Sequence, residues 1–489
     1  MFKILKKFSF FFLLFFAIRL ILIFFYPASH ESKYEIVATN ILSGCGVSFS
    51  PLGSNECISA FGPNGPVYPF FIASLKFFYD NDYFIKAFQI LIYFTSVLFV
   101  SKSIHHYSKS NRLSNITFII LSISPLTLAW SRFVLPETVM ISISLFFISY
   151  VIKSLVKKKF FTIELSLIFI LMTFIRADAV FFIVPIVYLI FNLNSFNEGL
   201  KKLVIFLLIF SIPWSIWTYR NLSSGASIFP NIYESYETKT KEKFPNGYHK
   251  WVYSWAFDQY DLAKAIYPIN TGLNKLDDIF EYEKIIINED IYFNKIEEEN
   301  TKKLLNNLKL YSGKPFPPEL DKQFEELASL RINENKLFSY LILPIKRSIN
   351  LWFNPYYSHG WPIQLSEKLI DQKIDFSNKG LIEKISIFKI FPIEISLKII
   401  LFLWMIILWV LFSLVFFQKK NTINSHFFKI CSQLILVKTV FFAYTGFFET
   451  RYIVNLIPLI EILIILVFSE VLEKSKRYTS FKKILEFDK

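Results

Sequence analysis

Cysteine, histidine and glycine motifs are sparse in this chain, and each shortage closes off a class of function. Only three cysteines occur in 489 residues. Cys45 and Cys57 share one inter-helix segment, and Cys431 lies in an apolar run. Cys45 and Cys57 either pair, if their segment faces an oxidising compartment, or serve as small packing residues. The six histidines are scattered and lack the paired spacing of a metal site. No glycine-rich phosphate cradle is present, which argues against a nucleotide sugar used in the cytoplasm. No internal repeat is visible, and the only low-complexity feature is phenylalanine enrichment. A small-residue cleavage site is missing after the first apolar run, so that run is expected to be a retained span rather than a signal peptide.

Apolar residues are abundant. The chain is 53% hydrophobic, contains 58 Phe and has a mean hydropathy of +0.42. Repeated apolar runs of about 20 residues are the mark of a polytopic membrane protein. The net charge of +14 does not point to nucleic acid, because the Lys and Arg cluster in short stretches between apolar runs. Placed there, they orient a chain in a bilayer.

About ten spans are expected by the length criterion. They lie near 8–27, 84–101, 113–131, 136–152, 160–175, 179–193, 202–219, 391–417, 427–445 and 452–471. Every second connection is basic: Lys3, Lys6 and Lys7; Lys102, Lys109 and Arg112; Lys153 and Lys157 to Lys159; Lys201 and Lys202; Lys419, Lys420 and Lys429; Lys474, Lys476 and Arg477. This alternation puts both termini in the cytoplasm and the other connections outside. The expected organisation is a membrane module over 1–219 with a first outer loop at 28–82, an extracytoplasmic domain over 220–390, and C-terminal spans and tail over 391–489. Within 220–390, EYEKIIINEDIYFNKIEEENTKKLLNNLKL reads as helical. The stretch LFSYLILPIKRSINLWF is apolar but broken by Pro344, Lys346 and Arg347, and reads as an interfacial or re-entrant helix. An eleventh span at 338–353 is the alternative.

Polar residues collect at the outward ends of the spans: Glu31, Arg132, Glu137, Arg176, Asp178, Arg220, Glu449 and Arg451. Charges near a bilayer are costly unless paired, solvated or used. Acids and arginines converging on one face suit an anionic, membrane-borne substrate, since the arginine fork binds phosphate bidentately. In SHESKYEIVATNILSG, Ser32 and Glu35 have capping-box spacing, so a helix is expected from about Lys33, ending near Gly44 and Gly46. Glu31 precedes it, at the positive end of the helix dipole, where an ionised carboxylate is favoured. It can take a proton, hold a metal, or merely complement the dipole. His30 is its neighbour. Lys438 and Glu461 fall at similar depth in the last spans and are expected to form a structural ion pair.

The run Glu31-x-x-Tyr34-x-x-x-Ala38, then Gly44-x-Gly46 and GPNGPVYP, resembles the first outer loop of the GT-C membrane glycosyltransferases. The nearest branch holds the dolichyl-phosphate-mannose protein mannosyltransferases (family 39-like) and the bacterial aminoarabinose lipid A transferases. ISPLTLAWSRFVLPET, FIRADAVFFIVP, IPWSIWTYRNL and ETRYIVNLIPLI resemble further segments of that family in the same order. The resemblance implies an all-α, GT-C-like bundle of ten or eleven spans, with interfacial helices in the first outer loop. It implies a glycosyltransferase of the bacterial inner membrane and cell envelope, moving sugar from a polyprenyl-phosphate donor to an extracytoplasmic glycan, lipid or protein. Glu31 then maps to the catalytic acid, although the family more often carries aspartate. Tyr34, Glu137, Arg176, Asp178, Arg220 and Arg451 map to substrate binding, with the arginines neutralising the donor phosphate. A divalent metal ion is left open. The competing reading is a lipid-linked oligosaccharide flippase or another polytopic transporter.

Overall fold

A computed structural model describes residues 2–25, 33–50, 57–60, 65–230, 234, 237, 242–266, 269–270, 275–276, 292–353, 392–416, 423–446 and 450–474. His30, Glu31, His359 and Glu449 lie outside the described residues. Among the described residues the fold is helical, apart from an isolated bridge between Ser48 and Ser59 and one antiparallel ribbon of two short strands, β1 (Ile269–Asn270) and β2 (Lys275–Leu276).

The first part of the chain forms α1 (Phe2–Phe25), α2 (Lys33–Leu42), α3 (Val67–Phe78), α4 (Asp82–Ser108), α5 (Asn111–Ile123), α6 (Pro125–Trp130), α7 (Pro136–Lys157), α8 (Thr162–Ile175), α9 (Ile183–Leu193) and α10 (Phe196–Ser223). Then follow α11 (Asn246–Tyr253), α12 (Gln259–Ile266), α13 (Lys295–Leu308), α14 (Pro318–Glu334) and α15 (Leu343–Phe353). The last three are α16 (Pro392–Phe416), α17 (Ile423–Thr445) and α18 (Ile457–Lys474).

Local sequence explains many of the ends. The Asn81 side chain caps α4 by accepting from the amides of Tyr83 and Phe84. Ser110 caps α5 in the same way, and Pro136 opens α7, where no amide partner is needed. The helix α2 starts at Lys33, as the capping-box spacing predicts, and ends against Gly44 at φ +89°. Few side chains adopt that left-handed geometry, which is why glycine serves there.

Among the described residues four helices are long and apolar enough to cross a membrane: Asp82–Ser108, Pro136–Lys157, Phe196–Ser223 and His426–Thr445. Six shorter apolar helices accompany them among the described residues. The closely packed pair α4 and α7 sits at the centre of one large apolar core. On the periphery, α10 leaves Leu208, Ile212 and Ile216 about 60% exposed or more. A row of exposed aliphatic side chains on a bundle of this kind suits a lipid bilayer.

The expected third span, 113–131, is not continuous. Helix α5 stops at Ile123 and α6 begins at Pro125. Proline has no amide hydrogen, so the Leu121 carbonyl loses its helical donor. The Tyr93 hydroxyl donates to that oxygen instead. Arg19, buried in α1, donates to the Ser122 carbonyl at 3.1 Å and to the Thr127 carbonyl at 3.2 Å. Its guanidinium also lies 4.3 Å from the Tyr93 ring centre. These side chains supply what the broken backbone lacks, as an apolar environment demands.

A second, smaller core joins α11, α13 and α14 around Tyr248, Trp251, Trp255, Leu305, Leu308 and Phe324. Gly247 makes this packing possible, because a Cβ there would stand 2.0 Å from the Asp321 carbonyl oxygen. Of the stretch read as helical at 281–310, helix covers Lys295–Leu308, and 281–291 lies outside the described residues. The stretch at 338–353 is a π turn, Phe338–Ile342, running into α15. Arg347, in the middle of α15, is buried against protein carbonyls.

Candidate active site

The best candidate site is a buried ionic cluster at the end of the bundle where α7 begins and α8 stops. Pro136 opens α7 and puts Glu137 in its first turn. The helix α8 ends at Ile175, and Arg176 leaves it in extended conformation before a 3-10 turn, Ala177–Phe182. That exit turns the guanidinium of Arg176 onto two carboxylates. Its Nη1 donates to Glu137 Oε1 at 2.6 Å and its Nε donates to Asp178 Oδ1 at 2.8 Å. Glu137 is 2% exposed and Arg176 7% exposed, so solvent screens this pair weakly.

Lys438, from α17, completes the cluster. Its ammonium donates to Asp178 Oδ2 at 2.7 Å and to Asn455 Oδ1 at 3.0 Å. Each Asp178 oxygen therefore holds a different cation. The expected Lys438–Glu461 ion pair does not form. Glu461 instead accepts from the Ser124 hydroxyl at 2.6 Å and from Trp404 Nε1 at 3.1 Å. Depth along two helices was a poor guide, because their rotation directs the two side chains to different neighbours.

Tyr452 lies across the cluster, with Arg176 5.2 Å from its ring centre on one approach and Arg451 5.1 Å on another. Arg451 Nη2 also donates to the Tyr452 hydroxyl at 3.1 Å, and its charge acts on Arg176. Glu137 Oε2 is buried and accepts no hydrogen bond among the described residues. A buried acceptor in that state is costly and points to a group that completes it, such as a water or a substrate hydroxyl.

The first connection packs near this cluster through aromatic residues. Tyr34, on α2, meets Tyr68 edge to face at 5.2 Å. The Tyr68 hydroxyl donates to Gln89 Oε1 at 2.8 Å, and Gln89 Nε2 donates to the Phe133 carbonyl at 2.9 Å. Tyr68 also lies in the field of Glu137 and Glu35. Lys86, in the first turns of α4, is buried beside the charges of Glu35 and Arg132. Sequence reasoning missed Lys86 because it counted that region as the start of an apolar span. Its position within one turn of Asp82 was the available signal.

Arg220 is not in the cluster. It donates to the Val47 carbonyl at 2.6 Å and the Ala60 carbonyl at 2.8 Å, and lies 5.1 Å from the Trp217 ring centre. Val47 lies within the loop that the Cys45–Cys57 disulfide closes, and Ala60 follows it. Arg220 therefore ties the end of α10 to this loop. Asn40 anchors the same loop to α2 by donating to the carbonyls of Ser48 and Ser50.

Of the residues singled out in the sequence, Glu137, Arg176 and Asp178 are bonded together, Arg451 adjoins them through Tyr452, Tyr34 packs on Tyr68, and Arg220 acts on the loop backbone. Glu31 lies outside the described residues. Among the described residues no three His, Cys, Asp or Glu side chains are arranged to hold a metal ion. His249 is packed into the second core, 4.3 Å from Phe244 ring to ring. Chemically, the cluster offers fixed cations and a buried carboxylate oxygen side by side, a combination suited to an anion that also carries hydroxyls. Comparison of the chain with protein-family models, with curated proteins and with solved structures finds no match.

Proposed function

We propose that the protein is an integral-membrane glycosyltransferase of the GT-C kind. In this reading about ten spans cross the cytoplasmic membrane, both termini are cytoplasmic, and the ionic cluster opens to the outer face. The donor is a sugar linked to polyprenyl phosphate. The acceptor is a glycan, lipid or protein outside the cytoplasm. The observation that carries the reading is Arg176 bonded to both Glu137 and Asp178, with Lys438 and Arg451 at the same place. The segments LPET, FIRADAV and ETRY, quoted for the family resemblance, supply four of these five residues. The fifth, Lys438, was foreseen as a partner of Glu461.

The reaction is a displacement at the anomeric carbon. The acceptor oxygen bonds to that carbon, the bond from carbon to phosphate oxygen breaks, and polyprenyl phosphate leaves with the electron pair. Glu31 takes the acceptor proton. Arg176 and Arg451 stabilise the charge that grows on the departing phosphate more than they stabilise bound donor. Glu137 Oε2 accepts from a sugar or acceptor hydroxyl. Tyr34 packs against the sugar.

One observation favours the transporter reading. Arg19 and Glu461 are buried along apolar helices rather than at a rim, as a translocation path requires. Arg19, however, is occupied by the carbonyls at the Pro125 break.

The test is transfer by purified protein in lipid, with a panel of radiolabelled polyprenyl-phosphate sugars and crude envelope acceptor, for wild type and Glu31→Gln. Label moving with wild type alone supports the proposal and names the donor. Movement of labelled lipid across vesicles, with no sugar transferred from any donor, rejects it in favour of the transporter.

A further inference from the structure

Helix α15, whose Leu351 and Trp352 pack in the large core, and the end of α11, which belongs to the subdomain of the second core, both meet the last turns of α17. Trp352 Nε1 donates to Thr439 Oγ1 at 2.9 Å. Arg347 Nη1 donates to the Ala443 carbonyl at 3.1 Å. The Tyr444 hydroxyl donates to the Tyr340 carbonyl at 2.7 Å. The Tyr253 ring lies against Gly446, where a Cβ would approach it to 2.7 Å. These contacts follow one another up the last turns of α17, beginning one residue after Lys438. Helix α15 also packs against the turn that carries Arg451, Thr450–Tyr452.

Arg347 is the centre of this seam. It is 3% exposed. Beyond Ala443, its Nε donates to the Ala256 carbonyl at 3.0 Å, and its Nη2 donates to the carbonyls of Ala256, at 2.8 Å, and Tyr253. One planar fork thus binds the last carbonyl of α11, at Tyr253, the Ala256 carbonyl just beyond it, and a carbonyl in the last turn of α17. Carbonyls at helix ends have no helical donors and carry partial negative charge, so a buried guanidinium is a strong partner for both. Five residues of helix separate Ala443 from Lys438, about 7.5 Å of rise. A displacement or rotation at Ala443 passes along that rod to the ammonium.

We propose that Arg347 is a positioning residue that locks the subdomain to α17 and thereby holds Lys438 on Asp178. Asp178 in turn orients Arg176. The inference rests on the glycosyltransferase reading only for its consequence, that an acceptor seated on the subdomain acts on the donor-phosphate site through α17.

Hydrogen exchange on the full chain in lipid nanodiscs tests it, comparing wild type, Arg347→Gln and Arg347→Lys. In Arg347→Gln, exchange is expected to rise by about tenfold or more at 438–446 and also at 176–182, the size that follows loss of a charge-assisted hydrogen bond. The amides of α4 should be unchanged, and Arg347→Lys should recover part of the protection. Faster exchange confined to 253–257 and 443–446, with 176–182 as in wild type, overturns the proposal, because the seam is then only a local fastening. Should Arg347→Gln fail to fold, Trp352→Phe takes its place. It removes the donation to Thr439 and keeps the ring contact with Trp409 at 4.8 Å. The same two segments should then exchange about threefold faster, and no change at 176–182 again overturns the proposal. Transfer assays are run beside these. Wild-type protein that transfers no sugar counts against the proposed function and leaves the exchange result to judge the latch alone.

Discussion

Lys438 and Asp178 are 260 residues apart in sequence and 2.7 Å apart in the fold. Asp178 is thereby shared between two cations, since Arg176 binds its other oxygen. Removing one member of such a buried pair strands the other, at a cost of roughly 3–5 kcal/mol. Lys438→Met and Asp178→Asn should each destabilise by about that amount. The double variant should recover part of the loss, by at least ~1 kcal/mol of coupling. A double-mutant cycle of thermal unfolding in detergent measures this, and additive single effects would mean that the pair has no energetic connection.

Arg176 and Arg220 should separate by function. Arg176→Lys keeps the charge but cannot reach two carboxylates with one fork. Transfer should fall by roughly 100-fold or more if that fork orients the phosphate site. Arg220→Met should act first on the disulfide loop, because it frees the Val47 and Ala60 carbonyls. Reduction and alkylation of Cys45 and Cys57 should then run about tenfold faster than in wild type, matching loss of one or more charge-assisted bonds. Unchanged reduction kinetics would show that Arg220 does not hold the loop.

The break at Pro125 predicts a heavy dependence on Arg19. Arg19→Met leaves the Ser122 and Thr127 carbonyls without their donors inside the bundle. Loss of roughly 2–5 kcal/mol is expected, with partial rescue by Arg19→Lys. Thermal unfolding of purified protein reads this directly. A neutral Arg19→Met would indicate that other donors cover the break.

His249 makes stability depend on pH. Burial pushes its imidazole down to about 4, whereas in the unfolded chain it titrates near ~6.5. The unfolded state therefore binds the extra proton first. Its contribution is complete above about pH 6.5 and is lost as pH falls to about 4, a change of roughly 3 kcal/mol. Unfolding followed from pH 7.5 to 4 should weaken in that window, and His249→Phe should flatten the dependence. A parallel decline in that variant would assign the effect to other groups.

Signals that act locally were legible in the sequence. Runs of apolar residues marked the helical, membrane-compatible class, because ~20 residues of unbroken hydrophobicity have few other uses. The Ser32 to Glu35 spacing and Gly44 bracketed α2, since caps and left-handed turns depend on a few neighbouring residues. Glu137, Arg176, Asp178 and Arg451 were recognisable as charges at the ends of apolar runs. Pairing was not legible. Lys438 takes Asp178 rather than Glu461, and Arg220 takes loop carbonyls rather than the ionic cluster, because helix rotation and chain path decide which side chains meet. The span expected over 113–131 breaks at Pro125, and only the fold supplied Arg19 and Tyr93 as donors to the carbonyls there. The sequence by itself determined which segments are helical and where charge is tolerated. The tertiary structure decided which charges share a dielectric enclosure, and that sharing gives Arg176, Asp178 and Lys438 a chemistry none of them has alone.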